Sequence, residues 1–120
     1  MKAIAGRWSA QMPPGLPLFD GEALSGQHLP YALVSLPNGI PEYWFGGISY
    51  ESVTVQFDVY SADRIEAWEF FTRLCEVFDD CPMPLEGLEL LGFERDGWHR
   101  ETDRESYRFV ISYTAQLQPL

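Results

Sequence analysis

Between residues 49 and 61, "SYESVTVQFDVYS", apolar and polar side chains alternate for most of the segment. Val53, Val55, Phe57 and Val59 fall on one parity; Ser52, Thr54, Gln56 and Asp58 fall on the other. Successive side chains of an extended chain point to opposite faces, so this predicts a strand with one face on a core and one face wet or polar. The period then changes. In "RIEAWEFFTRLCEVF", Ala67, Phe71, Leu74, Cys75 and Phe78 form one helical stripe, with Glu66, Glu69, Arg73 and Glu76 opposite and Trp68 and Phe70 widening its flanks. Asp63 is placed to cap this helix, with Glu66 three residues on as the partner of a capping box, and the helix ends before Pro82.

The remaining segments are shorter signals. Ile4 and Trp8, at i,i+4, suggest a short helix over residues 1–10, weakened by Gly6 and stopped by "MPPGLP" at 12–17. Residues 18–29 read as irregular or partly extended. "PYALVSL" (30–36) is an apolar run bounded by breakers, hence a strand. "GLELLGFER" (87–95) reads as a third strand, "DGWHR" (96–100) as a turn on its Asp-Gly pair, and "SYRFVISYTAQLQ" (106–118) as a long fourth strand. The expected architecture is α+β: a mainly antiparallel four-stranded sheet packed against one long amphipathic helix, plus a short N-terminal helix.

The 120 residues fit a single domain, 1–120, and the 46% hydrophobic content can fill one core. Eighteen acidic against eight basic residues give a net charge of −10. Phosphate recognition rests on Lys and Arg, so this balance disfavours electrostatic binding of nucleic acid or anionic membrane, while leaving an acidic surface past which DNA can slide. No run of 18 apolar residues suits a membrane span, and the N-terminus has no secretory h-region. Cys75 and Cys81 make neither a disulfide framework nor a four-ligand metal set, which points to synthesis in a reducing cytoplasm.

Chemistry-bearing patterns are sparse. His28 and His99 lie far apart in the chain and neither is at metal-ligand spacing from a cysteine. "FGGIS" precedes a strand, whereas phosphate cradles open a helix. The expectation is no catalytic residue, no metal and no cofactor. What stands out instead is Tyr43, Trp44 and Phe45, consecutive within the Pro/Gly-punctuated segment 37–48, and Trp98 near the expected turn. Such aromatics either lid the open end of the core or anchor another subunit. The polar parity Ser52, Thr54, Gln56 and Asp58 is either plainly solvated or lines a shared channel.

Taken segment by segment, the chain resembles the tail terminator (tail completion) proteins of long-tailed bacteriophages and prophages. "GLPLFDGEALSGQHLPYALVSL" (15–36) is similar to that family's loop into its first strand, with Leu29-Pro30-Tyr31 its most recognisable point. "GISYESVTVQFDVYS" (47–61) resembles the long second strand that runs directly into a helix. "GLELLGFERDGWHRETDRESYRFVISYTAQL" (87–117) resembles the closing hairpin with its charged turn. The family begins with a longer N-terminal helix than the ten or so residues available here.

The resemblance implies a structural virion protein assembled in the bacterial host cytoplasm. It implies a ring, typically of six copies, that caps the tail tube, meets the head-side neck connector and lets DNA pass through. Tyr43, Trp44, Phe45 and Trp98 would then contact a neighbouring subunit or the tail tube protein, and the Ser52–Asp58 face would line the hole. Rival expectations are another neck or head–tail joining protein, a minor tail protein, or an acidic binding module. The acids are interleaved with Arg64, Arg73, Arg95, Arg100, Arg104 and Arg108, which disfavours a phosphate mimic.

Overall fold

A computed structural model describes residues 2–23, 25–37, 51–85, 87–102 and 105–119. The elements in chain order are α1 (Lys2–Gln11), β1 (Leu18–Asp20), β2 (Tyr31–Ser35), β3 (Glu51–Ser61), α2 (Arg64–Phe78), β4 (Leu88–Thr102) and β5 (Tyr107–Pro119). The strands form one sheet in the order β1-β2-β3-β5-β4. The class is α+β, as the alternating and helical periods predict, with one strand more than expected and a mixed sheet.

The extra strand is β1, which pairs parallel to β2 through Leu18 with Ala32 and Asp20 with Val34. Three residues are too few to show a two-residue period, so the pairing rests on tertiary context, not on local pattern. All other pairings are antiparallel.

A second correction concerns Asp96-Gly97. These residues do not turn the chain: β4 runs on to Thr102, which pairs with Tyr107, and the reversal lies between those two. Asp-Gly marks a hairpin only when its flanks pair with each other. Here both flanks pair with β5, and register shifts at Leu90/Gly92 and Arg95/Gly97 mark bulges. The Thr114 hydroxyl donates to the Asp96 carboxylate at the second bulge. Trp98 is accordingly a strand residue.

The helices cover one sheet face. Phe57, Val59, Phe109, Ile111 and Tyr113 are buried beneath them. Phe57 packs on Trp8 (5.9 Å), Phe78 (4.8 Å) and Tyr113 (6.0 Å), so both helices and two strands meet at one ring. Burying such a side chain stabilises by roughly 1.5–3 kcal/mol. The i,i+4 pair Ile4 and Trp8 faces this core, and the Trp8 indole donates to the Leu16 carbonyl at 2.9 Å. Arg7 Nε donates to the Val77 carbonyl at 2.7 Å, which fixes α1 against α2.

The stripe of α2 is Ala67, Phe71, Leu74, Val77 and Phe78, with Cys75 only half-buried at its side. Its N-terminus differs from the expected capping box. Asp63 accepts from the Ile65 N–H at 2.9 Å. Glu66 does not reach back to Asp63; the Ser61 hydroxyl stands between them, accepting from the Asp63 N–H (3.1 Å) and donating to Glu66 (2.7 Å). Ser61 is fully buried at the end of β3, so the strand itself caps the helix that follows.

Candidate functional site

The positions singled out by sequence separate into three groups. Tyr43, Trp44 and Phe45 lie outside the described residues. Ser52, Thr54, Gln56 and Asp58 lie on the sheet face away from the helices, opposite Val53, Val55, Phe57 and Val59. Trp98 lies on the helix-bearing face, opposite Ile111 on the edge strand β4.

The polar face has two unlike parts. Toward one end, Ser52 and Gln116 are exposed and Thr54, Gln56 and Ser112 are half-buried. Toward the other end the face is charged and aromatic. Asp58 is buried and accepts from Gln56 Nε2 at 3.0 Å and from Arg108 Nη2 at 2.8 Å. Arg108 Nη1 also donates to Glu101 at 2.6 Å, and His99 meets the other Glu101 oxygen at 3.2 Å. The Arg108 guanidinium sits over the Tyr60 ring at 5.6 Å, and Tyr60 stacks on Tyr31 at 4.9 Å. A hollow of about 410 Å3 adjoins this group, lined by Tyr60, Glu101, Thr102, Ser106 and Arg108.

The electrostatics follow from these contacts. Arg108, through its hydrogen bond, with help from His99, holds the Glu101 carboxyl below its ordinary value. Burial works against the charge on Arg108, yet the hydrogen bond and attraction from Asp58 outweigh it and push the guanidinium pKa up. Burial raises the Tyr60 phenol, only partly offset by Arg108. With Nη1 and Nη2 both engaged, this guanidinium is a strut between β3, β4 and β5.

A third surface joins Trp98 to two residues that were not singled out from sequence, Ile65 and Trp68. Ile65, Trp68 and Trp98 are 63%, 49% and 47% exposed, although large apolar side chains are normally covered. Trp68 and Trp98 meet edge-on at 6.0 Å, and both contact Phe71 and Phe109. Beside them Arg64, Ile65, Trp68, Arg100 and Phe109 line a groove of about 280 Å3, almost wholly apolar. Its signal was available: Ile65 and Trp68 are spaced i,i+3 on one side of α2, outside the stripe beginning at Ala67. What hid it was Trp98, which joins them only because β4 continues past Asp96-Gly97.

The remaining chemistry-bearing groups are dispersed. Both thiols are pushed above their ordinary value chiefly by burial, so Cys75 and Cys81 are protonated at neutral pH. Among the described residues no group of three His, Cys, Asp or Glu is arranged to hold a metal ion. No described helix is long and apolar enough to cross a membrane. A further depression of about 790 Å3 lies between α1 and residues 82–85 with Leu88, and Ala3, Gly6, Ala10, Pro82, Met83 and Leu85 make up much of its wall.

The arrangement thus offers one aromatic groove flanked by two cations and one polar face with an internal charge strut. No protein-family model matches the chain, and no curated protein matches it significantly.

Proposed function

We propose that the chain is a structural subunit of a bacteriophage tail, a terminator that forms a ring at the head-proximal end of the tail tube. In this role it stops tube polymerisation and presents the surface that meets the head-side neck connector. Genomic DNA passes through the ring without sequence-specific contact. The subunit is made and assembled in the bacterial cytoplasm and ends in the virion.

The observation that carries this reading is the joint exposure of Ile65, Trp68 and Trp98 on one side of a sheet whose core is otherwise filled. Contiguous exposed apolar surface marks a site of association, and Trp is among the residues that dominate interface energetics. Supporting it are the segment-by-segment resemblance to tail terminators and the net charge of −10. An acidic subunit gives no electrostatic hold on DNA phosphates. In the ring, the hydroxyl and amide part of the polar face, Ser52, Thr54 and Gln56, lines the hole.

The test is the mass of the purified protein in solution, alone and with tail tube protein, by sedimentation velocity. Rings of five or more copies, formed alone or on tube ends, support the proposal; a strict monomer that ignores tube protein overturns it. Electron microscopy of the particle then separates a terminator, seated on the last tube ring, from another neck or joining ring.

A further inference from the structure

We propose that the groove between Arg64, Trp68 and Arg100 of one copy meets the acidic β1 edge of the next, the exposed surface of Pro14–Glu22. This rests on the ring reading and names the two surfaces that build the ring.

The groove's cations are the first part of the case. Arg7, Arg73, Arg95 and Arg108 each hold a carbonyl or carboxylate. Arg64 and Arg100 have no hydrogen bond or ion pair among the described residues, and both border the same apolar groove. Two cations without a partner among the described residues, beside exposed indoles in a chain with more than twice as many acids as bases, fit an occupant that brings carboxylates and apolar groups together. The chain's own surface is rich in the first.

Segment 14–22 has that composition. Pro14 and Pro17 are exposed, followed by exposed Asp20 and Glu22, which have no ion pair among the described residues. The segment is already fixed within its own copy, since Leu16 is buried with its N–H on the Pro13 carbonyl and Leu18–Asp20 pair with β2, so presenting Asp20 and Glu22 costs little ordering. Trp68 and Phe109 supply the aromatic wall, with Trp98 against Trp68 beside it, and Arg64 and Arg100 complement the two carboxylates.

Topology supplies the last part. The groove lies beside β4 and the acidic segment runs through β1, the two opposite edges of the sheet. A contact between different patches on opposite edges is heterologous, and it propagates from copy to copy until rotation closes it into a ring. The exposed edge of β4 itself is guarded against direct strand pairing by its bulges and by Glu94, Arg95 and Asp96.

The test uses full-length protein, alone and with tail tube protein, and compares three variants with wild type by sedimentation velocity. They are Arg64→Glu/Arg100→Glu, Asp20→Lys/Glu22→Lys, and all four substitutions together. All four positions are exposed, and far-UV circular dichroism verifies that each variant is folded. Each double variant is expected to raise the concentration for half-assembly by roughly tenfold or more, and the charge-swapped combination to restore it to near the wild-type value. If wild type forms rings and the Arg64/Arg100 variant forms them equally well, the proposal is overturned while the ring reading stands. Failure of the combined variant to recover overturns the pairing with Asp20 and Glu22. Intact rings that no longer cap tubes would assign the groove to the tube protein, and also overturn it. A wild-type protein that never assembles overturns the ring reading itself.

Discussion

The Tyr113 hydroxyl donates a 2.7 Å hydrogen bond to Oδ1 of Asp79, the residue that ends α2. The other Asp79 oxygen faces Arg95 of β4 at 3.2 Å. One carboxylate thus ties β5, the helix terminus and the edge strand together. Tyr113→Phe removes the donor while keeping the buried ring, which stacks on Phe93 at 4.7 Å. The expected loss is about 1–2 kcal/mol, read as a lower urea midpoint with an unchanged m-value.

The same contact governs behaviour in alkali. Burial first, and the bond to Asp79 second, push the Tyr113 phenol far above its ordinary value. A pKa raised on folding contributes stability that is fully present below the unfolded value, about 10, and is lost as pH climbs from there toward the folded value. Wild type should therefore lose stability above pH ~10, and Tyr113→Phe should show a shallower decline. Tyr60, also raised by burial, accounts for part of what remains. Chemical denaturation at a series of pH values checks this; parallel profiles for the two proteins would contradict it.

Ser61 is the hinge of the α2 cap. Its hydroxyl is buried and serves as both acceptor and donor, so Ser61→Ala leaves the Asp63 N–H and the Glu66 carboxylate each without a partner. The expected loss is about 1–2 kcal/mol, larger than for Glu66→Gln, which retains an acceptor for the Ser61 hydroxyl. Hydrogen exchange in the first turn, at Ile65–Trp68, should accelerate in Ser61→Ala while the α2 C-terminus stays protected.

The Asp58–Arg108 pair differs from the Glu101–Arg108 pair in burial. The Asp58 side chain is 10% exposed and the Glu101 side chain 50%. A double-mutant cycle to alanine at Asp58 and Arg108 should give a coupling of about 1–2 kcal/mol. The cycle through Glu101 should give a smaller value that falls further with added salt, because water and ions screen it. The lowered Glu101 pKa contributes stability present above the ordinary carboxylate value and lost as pH falls through the folded value, so its share disappears in acid. Equal coupling in the two cycles would show that burial does not set the strength of this strut.

Local periodicity carried the long elements and failed where pairing is decided at a distance. β3 and α2 are each long enough to display their period, and both form where the pattern predicts them. β1 is only three residues, and its partner is set by the hydrogen bonds Gly21 N–H to Val34 O and Ala32 N–H to Pro17 O. Asp96-Gly97 carries strong turn chemistry, but β5 is long enough to pair on both sides of it, so the dipeptide becomes a bulge. That one misplacement also concealed the aromatic surface, since Trp98 meets Trp68 only because β4 continues past the bulge. Asp58 shows a further limit: alternation places it on the polar face, while its burial depends on Arg108, fifty residues on.

Two glycines should respond oppositely to alanine. Gly6 lies in α1 with no atom within 4 Å of an added Cβ, so Ala fits without displacement. Glycine within a helix costs about 0.5–1 kcal/mol relative to alanine, mostly through the freedom it has when unfolded, and Gly6→Ala should stabilise by that amount. Gly21 also has open space, but its φ is +84°, a conformation that strains any residue with a Cβ. Gly21→Ala should destabilise by about 1 kcal/mol and loosen β1, which Gly21 ties to β2 through its bond to Val34. Because β1 carries Asp20 beside that bond, Gly21→Ala should also raise the concentration needed for ring assembly, whereas Gly6→Ala should leave it unchanged. Thermal melts and sedimentation velocity on the same two variants separate the effects: a Gly21→Ala protein that is less stable yet assembles like wild type would show that the β1 edge takes no part in assembly.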